Sequence, residues 1–187
     1  MVEYSMTEFE SVNDLSDKSN IQKGIYYERS SWNFTGIAES FDDHIAHSVP
    51  LYRDVHKLIT TLTDFFISES STVIDIGSST GHLVNDIAQR HSHLKDLEFF
   101  LIDDVDDMVE YSKKVINHSC KSHKFNFLKD SIINFDFPKN TSIITSIYTI
   151  QFVSPSVRQD IVNNIYDSLA WGGAFFFFEK TNANDAR

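Results

Sequence analysis

The amino-acid sequence predicts an α/β protein in which helices cover both faces of a parallel sheet of about five strands. Its 187 residues, 41% of them hydrophobic, are enough for one sizeable core. Unbroken apolar strand segments alternate with helical segments, which is typical of a parallel sheet buried on both sides. The predicted strands are TVIDI at 72–76, LEFFLID at 97–103, FNFL at 125–128, SIITSIY at 142–148 and AFFFFEK at 174–180.

Hydrophobic residues at helical spacing predict the helices. Two helices precede the first strand and divide at Pro50, because proline disfavours helix at the residue before it. Ser154 and Pro155 are a start signal for the last helix, and the segment WGG at 171–173 is predicted to stop it. The helices between strands are predicted over 81–91, 105–117 and 155–169. The apolar faces of the first two helices are Ile37, Phe41, His44 and Ile45, then Leu51, Val55, Leu58, Ile59 and Leu62.

The chain is predicted to contain a flexible acidic N-terminal arm, residues 1–30, followed by one α/β domain, residues 31–187. The arm lacks the basic flank and apolar core of a signal peptide, and no segment approaches the roughly 18 apolar residues of a membrane span. We therefore expect a cytoplasmic protein that does not associate with membranes. The single cysteine, Cys120, fits a reducing compartment.

The charge of the chain argues against nucleic-acid binding. It has 16 Lys and Arg against 27 Asp and Glu, a formal net charge of −11. A protein that grips phosphate backbones needs a basic face, so we expect no direct nucleic-acid contact. Two histidine pairs, His44 with His47 and His91 with His93, have no third ligand at a recognisable spacing, so no metal site is predicted.

The segment DIGSSTG joins the first predicted strand to a helix and is the leading candidate for a binding site. It contains Asp75, Gly77, Ser78, Ser79 and Gly81. Glycine permits positive φ and close approach of a ligand, and the first N–H groups of a helix lack intrahelical partners. A dinucleotide fingerprint would need glycine at positions 77, 79 and 82, and only the first of these is glycine.

Acidic residues follow the next two predicted strands. Asp103 ends the second strand, roughly 20 residues beyond the turn, where an acid can accept hydrogen bonds from ribose hydroxyls. Asp104 is its neighbour, and Asp130 follows the third strand. Because ligands bind outside the carboxyl ends of parallel strands, the pattern predicts a nucleoside site. The alternative is that Asp103 or Asp104 caps the following helix and Asp130 is an ordinary turn acid.

The spacing Asp-x-Gly-x-x-x-Gly resembles motif I of class I S-adenosylmethionine-dependent methyltransferases, whose turn approaches the methionine and ribose portions of the cofactor. This resemblance implies a Rossmann-like fold with strand order 3-2-1-4-5. It also implies S-adenosyl-L-methionine as the cofactor, or its carboxy-S-adenosyl-L-methionine or S-adenosylhomocysteine relatives.

A narrower resemblance covers residues 32–183. The segments WNFTGIAESFDDHIAHSVPLY, VIDIGSSTG, LIDDVDDM and TIQFVSPSVRQDIVNNIYDSLAWGGAFFFFEK are similar to the carboxy-S-adenosylmethionine synthase family, which makes the carboxymethyl donor for wobble-uridine modification of bacterial transfer RNA. The cofactor contacts that this resemblance implies are Tyr52, Gly77, Ser78, Ser79, Asp103, Asp104, Asp130 and Ser131.

The chain departs from that family at two places. Ile147 stands where the family has an asparagine at the cofactor site. The family chain also continues past the fifth strand, where an arginine reads the substrate carboxylate, and neither Arg158 nor Arg187 aligns with that arginine. We therefore expect a domain truncated after its fifth strand.

The family resemblance implies conversion of S-adenosylmethionine and prephenate, a small-molecule substrate, to carboxy-S-adenosylmethionine. An ylide captures carbon dioxide in that reaction, so no protein nucleophile is needed and no catalytic residue is predicted. One alternative is a methyltransferase that positions a small acceptor in line with the sulfonium. Another is a non-catalytic binding or scaffold protein on the same fold.

The fifth predicted strand is rich in phenylalanine and would be an unpaired edge if the sheet ends there. Such an edge is a template for pairing with another chain. We therefore expect a homo-oligomer or a partner that covers this edge.

Overall fold

The computed structural model describes residues 26–28, 31–33, 36–116 and 122–181. The helices are α1 (Ala38–Ser48), α2 (Tyr52–Leu62), α3 (His82–Arg90), α4 (Asp106–Ile116) and α5 (Pro155–Ser168). The strands are β1 (Tyr26–Glu28), β2 (Ser31–Asn33), β3 (Thr72–Ile76), β4 (Glu98–Asp103), β5 (Lys124–Lys129), β6 (Thr141–Ile147) and β7 (Leu169–Phe178). Single 3₁₀ turns follow α2 at Thr63–Phe65 and β6 at Ile150–Phe152.

Strands β3 to β7 form one parallel sheet in the order β5-β4-β3-β6-β7. Numbered from β3, this is the predicted order 3-2-1-4-5, and the Rossmann-like fold is confirmed. The central strand β3 pairs with β4 on one side and with β6 on the other. The carboxyl ends of these three strands therefore lie side by side, and the strand order reverses between the neighbours β3 and β6.

The sheet is buried on both faces, which explains its unbroken apolar strands. Along β3, Val73 belongs to one hydrophobic cluster, whereas Ile74 and Ile76 belong to the other. Side chains alternate between the faces because a strand has a period of two residues. Helix α3 packs its Leu83 and Ile87 on the first face, and α5 packs on the second.

The edge strand β7 differs from its prediction. It begins at Leu169, directly after α5, so the WGG segment lies inside the strand and the prediction that it stops the helix is wrong. Gly172 has a φ of +81°, and the pairing with β6 shifts register between Thr141 and Ile143. A Cβ on Gly173 would lie 2.9 Å from the carbonyl oxygen of Thr141. Gly172 therefore supplies the positive φ of this irregular pairing, and Gly173 leaves room for the β6 backbone, which a side chain would meet.

The predicted N-terminal arm lies outside the described residues, apart from the strand Tyr26–Glu28. That strand pairs with Ser31–Asn33 in a separate antiparallel sheet. The division into an arm and a domain at residue 30 therefore stays a prediction. Among the described residues, no helix has the length and apolar character needed to cross a membrane.

Candidate functional site

A cavity of about 770 Å³ lies at the carboxyl ends of β3, β4, β5 and β6, with α1 and α2 forming its wall. This is where open parallel sheets bind ligands. Nine sequence-predicted site residues line it: Tyr52, Asp75, Gly77, Ser78, Ser79, Asp103, Asp104, Asp130 and Ser131. The tenth, Gly81, does not line the cavity. Its φ is +77°, and a Cβ there would lie 2.9 Å from the Ser112 side chain, so this glycine lets α3 pack closely on α4.

The glycine turn is fastened to the end of β4. The backbone N–H groups of Gly77 and Ser78 both donate to the carbonyl of Ile102, at 2.8 and 3.0 Å. Gly77 has a φ of +67°, and a Cβ on it would lie 2.2 Å from Oγ1 of Thr149. The Oγ of Ser78 is buried and makes no hydrogen bond to a described residue. The turn therefore offers a polar atom to a ligand, while the space beside Gly77 is filled by Thr149.

Asp103 joins the turn to the following helix. Its Oδ2 accepts a hydrogen bond from the Ser79 N–H at 2.8 Å, and its Oδ1 accepts one from the Val105 N–H at 3.0 Å. Burial raises the pKa of this carboxyl to about 6 against the opposing effect of these two bonds. Asp103 therefore holds the residue that precedes α4 and caps no N–H within that helix. It also lines the cavity, where each carboxylate oxygen can accept a further hydrogen bond.

Asp75 lies in the middle of the sheet, at the floor of the cavity. It is 4% exposed, and its Oδ1 accepts a hydrogen bond from Oγ1 of Thr145 at 2.6 Å. Burial raises the pKa of Asp75 to about 7, and the nearby charge of Asp103 adds to the increase. A positive ligand in the cavity would stabilise the ionised form of both acids.

The acids at the rim are more exposed. Asp104 and Asp130 are both exposed, and Ser131 is half-buried. The Ser131 N–H donates to Oδ1 of Asp130 at 2.7 Å, and the Asp130 N–H donates to the carbonyl of Asp103 at 3.1 Å. These bonds place the β5 end beside the β4 end. Asp130 therefore acts as a turn acid, which is the alternative that the sequence left open, and it also lines the cavity.

Helix α2 contributes two aromatic side chains to the wall. Tyr52 and His56 are one turn apart, with ring centroids separated by 4.4 Å, and Tyr148 stacks beside Tyr52 at 6.5 Å. Burial, followed by the charge of Asp42, raises the pKa of Tyr52 above its usual range. Burial lowers the pKa of His56 to about 4. Both side chains are therefore neutral at physiological pH.

Helix α1 is held over the glycine turn by Asp42. Its Oδ1 accepts a hydrogen bond from Oγ1 of Thr80 at 2.8 Å, and its Oδ2 lies 3.2 Å from Nε2 of His82. The hydrogen bond to Asp42 raises the pKa of His82, so the pair is favoured in its charged form. Sequence reasoning missed Asp42, His56 and His82 as a group, because they come from three helices. The local signal in the sequence for this group is the four-residue spacing of Tyr52 and His56, which places them one helical turn apart.

The segment after β6 closes the cavity on its other side. The carboxylate of Glu179 accepts hydrogen bonds from the N–H groups of Ile150 and Gln151, at 2.7 and 3.2 Å. Arg158 donates to the carbonyls of Val153 and Gln151, both at 2.9 Å. Arg158 therefore supports this loop through its backbone. Ile147, the last residue of β6, lines the cavity.

Comparison with known proteins identifies the family. Residues 73–173, more than half of the chain, match the model of a family described as a methyltransferase domain. The chain belongs to this methyltransferase family and has its Rossmann-like fold.

The chain is similar to a curated relative and to solved structures. The carboxy-S-adenosyl-L-methionine synthase of Staphylococcus epidermidis is 32% identical over 161 residues, which are 83% of this chain and 66% of that relative. The chain therefore spans just under two thirds of the relative's length. A Clostridium acetobutylicum S-adenosylmethionine-dependent methyltransferase has a TM-score of 0.60 at 16% identity, covering 75% of this chain and 55% of its own. A Thiobacillus denitrificans methyltransferase in complex with S-adenosyl-L-homocysteine has a TM-score of 0.54 at 15% identity, covering 75% and 52%.

Substitution of Gly77 by alanine should destabilise the protein by about 2 kcal/mol or more, because the new Cβ would overlap Thr149 at a positive φ. Chemical denaturation of wild type, Gly77→Ala, Thr149→Ala and the double variant measures this effect. We expect Gly77→Ala to cost less in the Thr149→Ala background, since Oγ1 and Cγ2 are then absent. Equal costs in the two backgrounds would show that the clash does not limit this position.

Stability should depend on pH through Asp75. The folded state holds the Asp75 proton more tightly than the unfolded state, because the pKa is raised from 3.8 to about 7. Its contribution to the free energy of unfolding is therefore full at low pH and is lost as pH rises towards and past 7. Urea unfolding of wild type and Asp75→Asn should show wild type losing stability relative to the variant over about pH 4–7. A difference that does not change with pH would contradict the assignment.

Proposed function

We propose that this chain binds S-adenosyl-L-methionine at the glycine turn and works as a carboxy-S-adenosyl-L-methionine synthase-like protein. The observation that carries the proposal is that one cavity collects the Gly77 turn with Asp103 and Asp130, each at a different strand end. The similarity to the Staphylococcus epidermidis synthase supports it. The Thiobacillus denitrificans neighbour, bound to S-adenosyl-L-homocysteine, supports the choice of cofactor.

The cavity fits such a cofactor chemically. Asp103 and Asp130 can accept hydrogen bonds from ribose hydroxyls and the adenine amine, and Ser78 has a buried hydroxyl without a described partner. Four carboxyl groups line the cavity, at Asp75, Asp103, Asp104 and Asp130. These groups favour a cationic sulfonium over a neutral or anionic ligand. When bound, the cofactor supplies the activated one-carbon group.

The cofactor contacts that we propose are Tyr52, Asp75, Gly77, Ser78, Ser79, Asp103, Asp104, Asp130 and Ser131, with Gly81 in a supporting role through helix packing. The second substrate is a small molecule, with prephenate as the leading candidate. A cytoplasmic setting, a place in transfer-RNA modification and an absence of direct nucleic-acid contact belong to the same proposal.

A second candidate is methyl transfer to a small acceptor. One observation supports it: Ile147 adds an apolar wall to the cavity. Mass spectrometry of the ligand that copurifies with the protein separates the two activities. A carboxylated cofactor supports the synthase, whereas S-adenosylmethionine or S-adenosylhomocysteine favours the methyltransferase. If neither the cofactor nor its products bind in calorimetry, the chain is a non-catalytic protein on this fold.

Substitution of Asp103 by alanine should weaken S-adenosylhomocysteine binding by about 1.5–3 kcal/mol, the range for hydrogen bonds to a charged acceptor. Isothermal titration calorimetry measures the affinity, with Asp160→Ala on the exposed side of α5 as a control that should be unaffected. Asp103→Asn retains an acceptor for the turn and separates loss of binding from loss of folding. Unchanged affinity in a folded Asp103→Ala protein would limit this acid to its structural hydrogen bonds with Ser79 and Val105.

We also propose that β7 pairs with the β7 strand of a second copy. Its ten residues, LAWGGAFFFF, carry no charge, and it lies at the edge of the described sheet. Trp171 is fully exposed, Phe177 is 57% exposed, and the Phe175 and Phe177 rings stack at 5.2 Å. An uncharged apolar edge of this kind is an association site, and self-pairing about a two-fold axis satisfies both edges.

Phe177→Lys should convert a dimer to a monomer, because like charges would meet across the paired edges. Size-exclusion chromatography with light scattering gives the mass. Tyr166→Lys, at a 77% exposed position on α5, should leave the dimer intact. A wild-type monomer at high concentration would contradict self-pairing and leave a different partner as the cover.

A further inference from the structure

His56 is a half-buried basic side chain that the proposed function leaves without a role. It lines the cavity from α2, and its ring packs against Tyr52 at 4.4 Å between centroids. Its imidazole makes no hydrogen bond to a described residue. A half-buried imidazole of this kind can still form a hydrogen bond through its accessible ring nitrogens. The open side of His56 is the cavity, so a ligand is positioned to supply that bond.

The charged groups around His56 are already paired with each other. Asp42 of α1 and His82 of α3 act on its imidazole electrostatically, with opposite signs. These two side chains lie 3.2 Å apart, and Asp42 also accepts a hydrogen bond from Thr80. Tyr52, from the same helix, is neutral and presents its ring. His56 therefore has no described carboxylate that is free to act as its counter-ion.

Histidines are the basic groups that the described lining of the cavity offers to an anion. Its basic side chains among the described residues are His44, His56 and His82. His82 is engaged by Asp42, whereas His44 and His56 are both half-buried. The ring of His56 packs against Tyr52, another residue of the lining. An imidazole can donate a hydrogen bond to a carboxylate and becomes a stronger partner once protonated. His56 is thus the best-placed donor in the cavity for a carboxylate.

We propose that His56 is the donor of a carboxylate subsite on the α1–α2 wall of the cavity. This inference rests on the proposed function, because a carboxylate can come from two sources there: the amino-acid end of the cofactor or a second substrate. In both cases the bound anion stabilises the imidazolium, so His56 takes up a proton when the carboxylate binds.

The first experiment tests the cofactor as the source, by calorimetry with two probes. S-adenosylhomocysteine carries the amino-acid carboxylate, and 5′-methylthioadenosine lacks the amino-acid group. If His56 holds the cofactor carboxylate, His56→Phe weakens S-adenosylhomocysteine binding about 10- to 100-fold and leaves methylthioadenosine binding unchanged. His56→Gln, which keeps a donor, restores part of the affinity. His47→Gln is the matched control at an exposed position outside the cavity lining.

The second experiment tests a second substrate as the source. The probes are 3-phenylpropionate and its neutral amide, titrated with and without saturating S-adenosylhomocysteine. If His56 holds this carboxylate, His56→Phe loses the preference for the acid over the amide and keeps its affinity for S-adenosylhomocysteine. Loss of the carboxylate contribution in either experiment supports the subsite and identifies its source.

Proton uptake distinguishes a donor from a merely structural residue. Calorimetry at about pH 5.5 in two buffers of different ionisation enthalpy should show uptake in wild type that is reduced in His56→Gln. If His56→Phe does not fold, the comparison of wild type with His56→Gln still tests whether His56 is the donor. Equal carboxylate affinity and equal proton uptake in wild type and both variants would overturn the proposal. If wild type binds neither nucleoside, the proposed function fails, and the phenylpropionate titration alone then decides for or against the subsite.

Discussion

The carboxylate of Asp103 is the constraint on which the cavity depends. It accepts hydrogen bonds from the N–H groups of Ser79 and Val105 and so joins the glycine turn to the segment that begins α4. The carbonyl of Ile102 accepts two more bonds from the turn. The ends of β3 and β4 are thereby fixed together without any ligand. A cofactor would meet a preformed floor, which lowers the entropy lost on binding.

The burial of Asp75 and Asp103 couples ligand binding to the protonation of these two acids. Asp75 and Asp103 both have raised pKa values because the interior disfavours their charge. A cationic ligand restores the ionised form, so its binding releases protons, whereas an anion bound at His56 takes one up. The two ends of a zwitterionic ligand would therefore have opposite proton linkage in one cavity. Helix α1, which Asp42 joins to Thr80 and His82, borders the same cavity as the buried acids and His56.

The sheet could be predicted because the sequence patterns that indicate its strands are local. Part of the site could not be predicted, because it depends on contacts between distant segments. The β-branched run at 72–76 predicts β3 with its correct bounds, and the acids that follow β4 and β5 reach the cavity as expected. The prediction that the WGG segment stops the helix is wrong because glycine suggests a turn. In the structure, the close approach of β6 requires glycine within β7. The turn motif predicts that Gly81 contacts the ligand, because the motif alone does not show that α4 packs against this glycine. The grouping of His56 with two distant helices depends on tertiary packing, which single-sequence patterns do not encode.

Ile147 has a consequence for water in the cavity. It stands at the end of β6, partly buried against the core cluster on one side and lining the cavity on the other. A hydrocarbon side chain there offers no hydrogen bond to hold an ordered water molecule. Solvent beside the Gly77 turn is therefore easier to displace, and the drier wall lowers the local dielectric constant. Attraction between a bound sulfonium and the acids of the floor is screened less than it would be beside an amide.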